Sequence, residues 1–337
     1  MATIRDVAKE ANTSIATVSR IFSRESDILN IADETKARVF AAAAKLNYSI
    51  PESYRRIKSV ACVINVTTEM HADSYYQSIL SGIKDELFKH NYSVDYIHTK
   101  YDFSDREITH KLFAQKINGF ILMTNIDEKI LAAIKNKTNN IVCVDTNILD
   151  YDNIRYNRFE AGCHAMEYLI RNGHKKIAYV GSHMRQGFSQ QFGRYDAYRV
   201  MLKRYNLKSN PKWIIDCKWE QRLAYDNTKQ MLEHDDVPSA IFFASDYMAM
   251  VGYQAIVDAN KTIPGDISII GLSDIDKAKN LNPPLTTIAI PKTEIGRITA
   301  KVLLARIKGD DTVPKQIYVP TTLIERQSVA KIRNYVI

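Results

Sequence analysis

TIRDVAKEANTSIATVSRIF, residues 3–22, reads with a 3.6-residue period as two short amphipathic helices joined by a tight polar turn. Thr3 stands where a helix N-cap is needed, and Asp6, three residues on, answers as the acid of a capping box. Ile4, Val7, Ala8 and Ala11 fall on one face. Asn12 and Thr13 then interrupt the pattern, and asparagine tolerates the left-handed backbone of a sharp turn. Ser14 is placed to cap the second helix, with Val18, Ile21 and Phe22 facing a core. Ile15, Ala16, Thr17, Ser19 and Arg20 are left pointing outward. Small residues there allow close approach to base edges. Arg20 can offer a bidentate fork to guanine, and Thr17 and Ser19 can donate to phosphates. Taken alone, the same pattern also describes an ordinary surface helical hairpin.

The wider stretch decides between them. TIRDVA, the S-x-x-TVSR block from Ser14 to Arg20, the E-T-x-x-R-V run from Glu34 to Val39 and the L-N-Y close at Leu46 to Tyr48 belong together. With these motifs, residues 2–49 resemble the N-terminal DNA-binding headpiece of the LacI–GalR repressor family. The resemblance implies DNA contacts from Thr3, Arg5, Ser14, Ile15, Ala16, Thr17, Ser19 and Arg20. The turn departs from the family, which usually has Gly-Val where this chain has Asn12-Thr13. A third helix is expected over about Asp33 to Leu46, with Val39, Phe40, Ala43 and Leu46 on its apolar side. Thr35 lies near its start, where a phosphate can dock.

IPESYRRIKS, residues 50–59, follows. In the family this segment becomes a hinge helix on DNA and inserts a leucine into the minor groove. Here it is several residues shorter, and the leucine is absent. Ile57 falls where the wedge is expected, with Tyr54 as a second candidate. Arg55, Arg56 and Lys58 can serve phosphates in either case. The alternative is a plain basic linker.

At 337 residues the chain is long enough for two or three compact units. Its net charge of +8 suits a polyanionic partner. There is no secretory h-region and no apolar run of about 20 residues, so a cytoplasmic protein with no membrane role is expected. Cys62, Cys143, Cys163 and Cys217 are isolated and have no metal-ligand spacing, so they read as reduced, mostly buried thiols.

From Val60 the texture becomes alternating strands and helices. VACVINV is a near-continuous apolar run, as in a parallel strand covered on both faces. Strands SVDYIH, GFILM and IVCVD alternate with helices at about 75–90, 105–115 and 128–136. A second series runs from about Phe159 through KIAYVG, AIFFA and SIIG. A last long helix, about 292–308, and strand IYVP return to the first sheet. The expectation is an all-α helix-turn-helix headpiece followed by an α/β core of two doubly wound parallel sheets, which the resemblance identifies as periplasmic-binding-protein-like. The boundaries are 1–49 headpiece, 50–59 hinge and 60–337 core. Lobe 1 covers about 60–157 plus 291–319, and lobe 2 about 158–288 plus 321–332.

Ligands of such sheets sit beyond the carboxyl ends of the strands. The residues expected there are Tyr75, Tyr76, Asp145, Asn157, Arg194, Trp219, Ser245, Asp246, Ser273 and Asp274. Several have structural alternatives: Tyr75 and Tyr76 as packing, Trp219 as core, and Asp246 as a helix cap. The family places an arginine at the start of the helix that Arg194 opens, to hold the effector. An aromatic plate with Arg, Asp and Ser around it suits a neutral polyol. D-x-Y-Y at 73–76, A-S-D at 244–246 and S-D-I at 273–275 resemble the galactose and β-galactoside repressor branch. Ser245 and Ser273 stand where many members carry Asn or Asp, and a purine corepressor is the less favoured alternative.

No Ser-His-Asp arrangement, Gly-rich phosphate loop or HExxH is evident, so no enzyme, metal or cofactor is expected. The expected function is a homodimeric repressor on a palindromic double-stranded operator, controlled by a small sugar. Without leucine heptads after the last lobe, a tetramer is not expected. The rivals are a regulator answering to a protein corepressor and a sugar-binding protein with no DNA role.

Overall fold

The computed structural model describes residues 2–22, 31–49, 58–66, 74–98, 117–182 and 193–332. The headpiece has three helices, α1 (Ile4–Glu10), α2 (Ile15–Phe22) and α3 (Asp33–Lys45). Thr3 and Asp6 form the expected capping box, with the Thr3 amide and hydroxyl each donating to Asp6 Oδ2 at 2.7 Å. Those bonds hold the Asp6 carboxyl below its ordinary value. Asn12 adopts φ 48°, the left-handed turn that frees α2 to cross α1. Val7, Ala8, Ala11, Val18, Ile21, Phe22, Val39, Ala42 and Ala43 form a small separate core. The Tyr48 ring stacks on Phe22 at 5.7 Å and closes it. Phe40 departs from expectation: it is 48% exposed, because the third helix turns Val39, Ala42 and Ala43 inward instead.

The core holds two six-stranded sheets. The first comprises β1 (Lys58–Ile64), β2 (Tyr92–His98), β3 (Ile117–Leu122), β4 (Ile141–Val144), β5 (Asp152–Arg155) and β11 (Gln316–Tyr318), in the order β11-β5-β4-β3-β1-β2. The second comprises β6 (Ile177–Gly181), β7 (Ile214–Asp216), β8 (Ala240–Phe243), β9 (Ser268–Ser273), β10 (Thr286–Ala289) and β12 (Thr322–Ile324), in the order β12-β10-β9-β8-β6-β7. All neighbours run parallel except β12, which is antiparallel to β10. Lys58 and Ser59 were expected in the linker, but they are the first rungs of β1, opposite Tyr92 and Ser93. The remaining hinge candidates, Tyr54, Arg55, Arg56 and Ile57, and the helix expected at 105–115, lie outside the described residues.

The apolar strand runs divide as a period of two requires. In the second sheet Tyr179, Phe242, Ile270 and Ile288 face one core, while Val180, Ile241, Phe243 and Ile269 face another. Helices α6 (Arg158–Arg171) and α7 (Arg194–Arg204) cover the first side, and α8 (Gln221–Leu232) and α9 (Asp246–Asp258) the second. The first sheet is covered by α4 (Ser74–Lys89) and α10 (Lys292–Ile307) on one face and α5 (Glu128–Lys135) on the other. At the α4–α10 seam the two helices touch backbone to backbone. A Cβ at Gly82 would overlap the Thr293 carbonyl, and one at Gly296 the Ile79 carbonyl. All four cysteines are free thiols, and burial pushes Cys217 up to about 11. Among the described residues, no helix is long and apolar enough to cross a membrane.

Candidate DNA-reading face and effector cleft

On α2 the Ser14 hydroxyl accepts from the Thr17 amide at 3.0 Å and shares a 2.8 Å hydrogen bond with the Thr17 hydroxyl. That cap fixes the start of the helix. Ile15, Ala16 and Arg20 are exposed beyond it, and Thr17 and Ser19 are half-buried. Arg5 is exposed on α1 and Thr35 is half-buried in the first turn of α3. That turn has no side-chain cap, since Ala32 occupies the N-cap position. Lys45 reaches back to Glu10 at 2.6 Å and ties α3 to α1.

The cleft candidates fall into two clusters. The first gathers around Asp145, which follows β4 with φ 53°. Its carboxylate pairs with Arg158 at 2.7 Å, and Arg158 also donates to the Asp145 carbonyl at 2.8 Å. Tyr75, at the start of α4, donates to the same carboxylate at 3.4 Å and meets the Tyr76 ring edge-on at 5.2 Å. Burial, then the Asp145 charge, pushes the Tyr75 hydroxyl well above its ordinary value, so it stays a donor near neutral pH. Arg194, the first residue of α7, donates to the Tyr156 hydroxyl. Its guanidinium lies 5.7 Å from the Tyr156 ring centre and 5.3 Å from that of Trp219. The buried Arg194 Nε has no hydrogen-bond partner among the described residues.

The second cluster surrounds Asp274, which follows β9. Ser273 and Asp274 hold φ 130° and 51°, and the Asp274 carboxylate pairs with Arg326 at 2.7 Å. Lys292 Nζ donates to the Ser273 carbonyl and, at 2.9 Å, to that of Asp274. The Ser273 residue itself is buried, 4% exposed.

Three expected ligand residues are engaged within the fold instead. Asp246 is fully buried, and it accepts from Thr287 Oγ1 at 2.6 Å and from the Ile275 amide at 3.0 Å. Its Oδ1 fills the place a Cβ on residue 271 would take, which is why glycine stands there. Burial pushes this carboxyl up to about 6 despite those bonds. Ser245 caps α9 through the Met248 amide at 3.2 Å, and Asn157 caps α6 through the Glu160 amide at 3.1 Å. Conversely, Arg158, Tyr156, Lys292 and Arg326 were not singled out in the sequence. Arg158 and Lys292 open the helix after a strand, Tyr156 stands just before one, and Arg326 follows the last strand, so a place beside a strand end was their available signal. A separate cavity of about 380 Å³, lined by Asp152, Arg306 and Asp310 among others, lies at the amino ends of β4 and β5.

A family model described as bacterial regulatory proteins of the lacI family matches residues 3–51, and one described as a periplasmic binding protein-like domain matches residues 166–329. The chain is 30% identical over 346 residues to the HTH-type transcriptional repressor PurR of Actinobacillus pleuropneumoniae serotype 3, spanning 99% of this chain and all of the relative. The PurR of Aliivibrio salmonicida is 29% identical over 342 residues, covering 98% of this chain and 100% of that one. A CelR–cellobiose complex superposes with a TM-score of 0.68 over 97% of this chain and 100% of that one at 21% identity. An Enterococcus faecium LacI family regulator with bound ribose gives 0.72 over 82% of this chain and 100% of that one at 24% identity. At those identities the likeness shows the fold.

The chain therefore belongs to the LacI family, DNA-binding transcriptional repressors with a periplasmic-binding-like ligand domain. These relatives are repressors and not enzymes, as the sequence led one to expect. They do not single out the galactose branch.

Proposed function

We propose that the chain works in the cytoplasm as a homodimer, reading a palindromic operator with α2 and releasing or gripping it according to a small sugar held between the lobes. The headpiece ends near residue 49 and a short hinge joins it to the core, with lobe 1 at about 58–157 plus 291–319 and lobe 2 at about 158–288 plus 321–332. The observation that carries the effector reading is Arg194: a buried guanidinium nitrogen without an acceptor among the described residues, its guanidinium between two aromatic rings. A pyranose of galactose type, or a galactoside, supplies a hydroxyl acceptor to that nitrogen and an apolar C–H face to Trp219. Tyr75 and Asp145 on one side and Asp274 on the other bracket further hydroxyls. Exposed Arg20, Ile15 and Ala16 reach base edges, while Thr3, Arg5, Ser14, Thr17, Ser19 and Thr35 lie toward the phosphates.

A purine is the second reading, favoured by the whole-length relatives named PurR. A base also stacks on an indole and presents a carbonyl to an arginine. A melting screen of the purified chain against D-galactose, lactose, cellobiose, D-ribose, hypoxanthine and guanine separates the two. A true effector at 100 times its Kd adds about 2.7 kcal/mol of stability. Stabilisation by a purine alone overturns the sugar reading, and a response to neither class leaves the protein-corepressor reading in its place. Arg20→Ala tests the DNA half. It should abolish sequence preference while leaving effector stabilisation intact, and unchanged operator discrimination refutes it.

A further inference from the structure

Lys292 is a buried cation, 9% exposed, at the first position of α10. Its helix packs on β3, β4 and β5 of the first sheet and on α4. Yet its ammonium reaches into the second lobe, where it donates to the main-chain carbonyls of Ser273 and Asp274, and more weakly to Ile290 at 3.5 Å. A buried ammonium is costly unless its donors are used, and here carbonyls use them. The corner it grips is one that L residues rarely form, two successive non-glycine residues with positive φ. Arg326 holds the carboxylate of the same corner from one side, and Asp246 holds the next amide, that of Ile275, from beneath. Of these three anchors, Lys292 alone comes from a helix of the other lobe.

We infer that Lys292 is a positioning residue for the effector, fixing the Ser273–Asp274 backbone so that Asp274 meets the ligand and tying that corner to the helices of the first lobe. The tie continues through the backbone-on-backbone seam of α10 and α4, and Tyr75 and Tyr76 stand in the first turn of α4. Contacts made by Tyr75 and by Asp274 thus register on one rigid pair of helices. The inference rests on the effector reading above and extends it to a residue that touches no ligand.

The test compares wild type with Lys292→Met, Lys292→Arg and Asp274→Ala in the full-length protein. Hydrogen–deuterium exchange of the effector-free protein needs no ligand. In Lys292→Met the amides of residues 273–276 should exchange about tenfold faster, a hydrogen bond from a charged donor having been lost, while the remaining core is unchanged. Whichever of D-galactose, cellobiose, D-ribose and hypoxanthine raises the wild-type melting temperature then serves as the binding probe. Its Kd should rise about tenfold in Lys292→Met and recover largely in Lys292→Arg, and combining Lys292→Met with Asp274→Ala should add little to Asp274→Ala alone. Unchanged exchange at 273–276, a probe Kd within twofold of wild type, or multiplying losses in the double variant overturns the inference. If no probe binds wild type, the effector reading fails while the exchange arm still decides whether Lys292 holds the corner. If Lys292→Met does not fold, Lys292→Gln, which keeps a neutral donor, is read in the same two ways.

Discussion

Asp145 follows β4 in the first sheet, Asp274 follows β9 in the second, and the two corners are near copies of each other. Both residues take a left-handed backbone, φ 53° and 51°, and both carboxylates pair with an arginine at 2.7 Å. The difference lies in where the arginine comes from. Arg158 opens α6, which packs on the second sheet, so its pair with Asp145 crosses between lobes. Arg326 follows β12 of the second sheet and also donates to the Leu285 carbonyl at 2.8 Å, so its pair with Asp274 stays within one lobe. The same local chemistry therefore serves as a latch in one place and a brace in the other. A change of lobe angle must break or bend the first and can leave the second intact.

That contrast can be broken by experiment. The largest effect is expected from Arg158→Ala, which strands a carboxylate only 13% exposed. Unfolding free energy in urea should fall by about 3 kcal/mol, below the loss of a fully buried pair's partner because Arg158 itself is partly solvated. Small-angle scattering of the effector-free protein should also report a changed lobe separation. Arg326→Ala should cost about 2 kcal/mol with no change in scattering, since its pair lies inside one lobe. Equal scattering changes in the two variants would erase the distinction.

A second difference is the carboxyl buried beneath the Asp274 corner. Burial raises Asp246 from 3.8 to about 6, so the folded chain binds this proton more tightly than the unfolded chain does. The resulting stabilisation is present below the unfolded value and is lost as pH rises through about 6. Between pH 4 and 6 the group should withdraw about 2–3 kcal/mol from the stability. Asp246→Asn should remove that slope, as seen by comparing urea midpoints of the two proteins across this range. An unchanged slope would show that the carboxyl titrates normally. The smallest effect belongs to the headpiece, remote from both corners. Ser14→Ala should cost the α2 cap about 1 kcal/mol and lower the headpiece transition, leaving that of the core in place.

The sequence disclosed most where function follows periodicity. On α2 the residues the core does not use are left on the surface, so a 3.6-residue count separates Val18, Ile21 and Phe22 from Ile15, Ala16 and Arg20. Long apolar strands were equally plain. The short strands β5 (DNIR), β10 (TTIA) and β12 (TLI) were not, because three or four residues carry no period and their pairing is decided by neighbours distant in sequence. The cleft was half legible. Strand ends point to Asp145, Arg194, Trp219 and Asp274, but not to their partners, since Arg158, Lys292 and Arg326 converge only in three dimensions. Asp246 shows the converse limit. An acid opening a helix looks the same in a sequence whether it faces solvent or is buried against Thr287 and Ile275.

The carboxylate of Asp246 occupies the space that any side chain at position 271 would demand. Positions 246 and 271, 25 residues apart in the chain, thus behave as a single letter of the sequence. A methyl group at 271 evicts the acid from its two donors, and a shorter residue at 246 leaves a hole that glycine cannot fill. Only a paired exchange, small for acid at 246 and larger at 271, preserves the volume, and it would delete the proton-binding group in the same stroke.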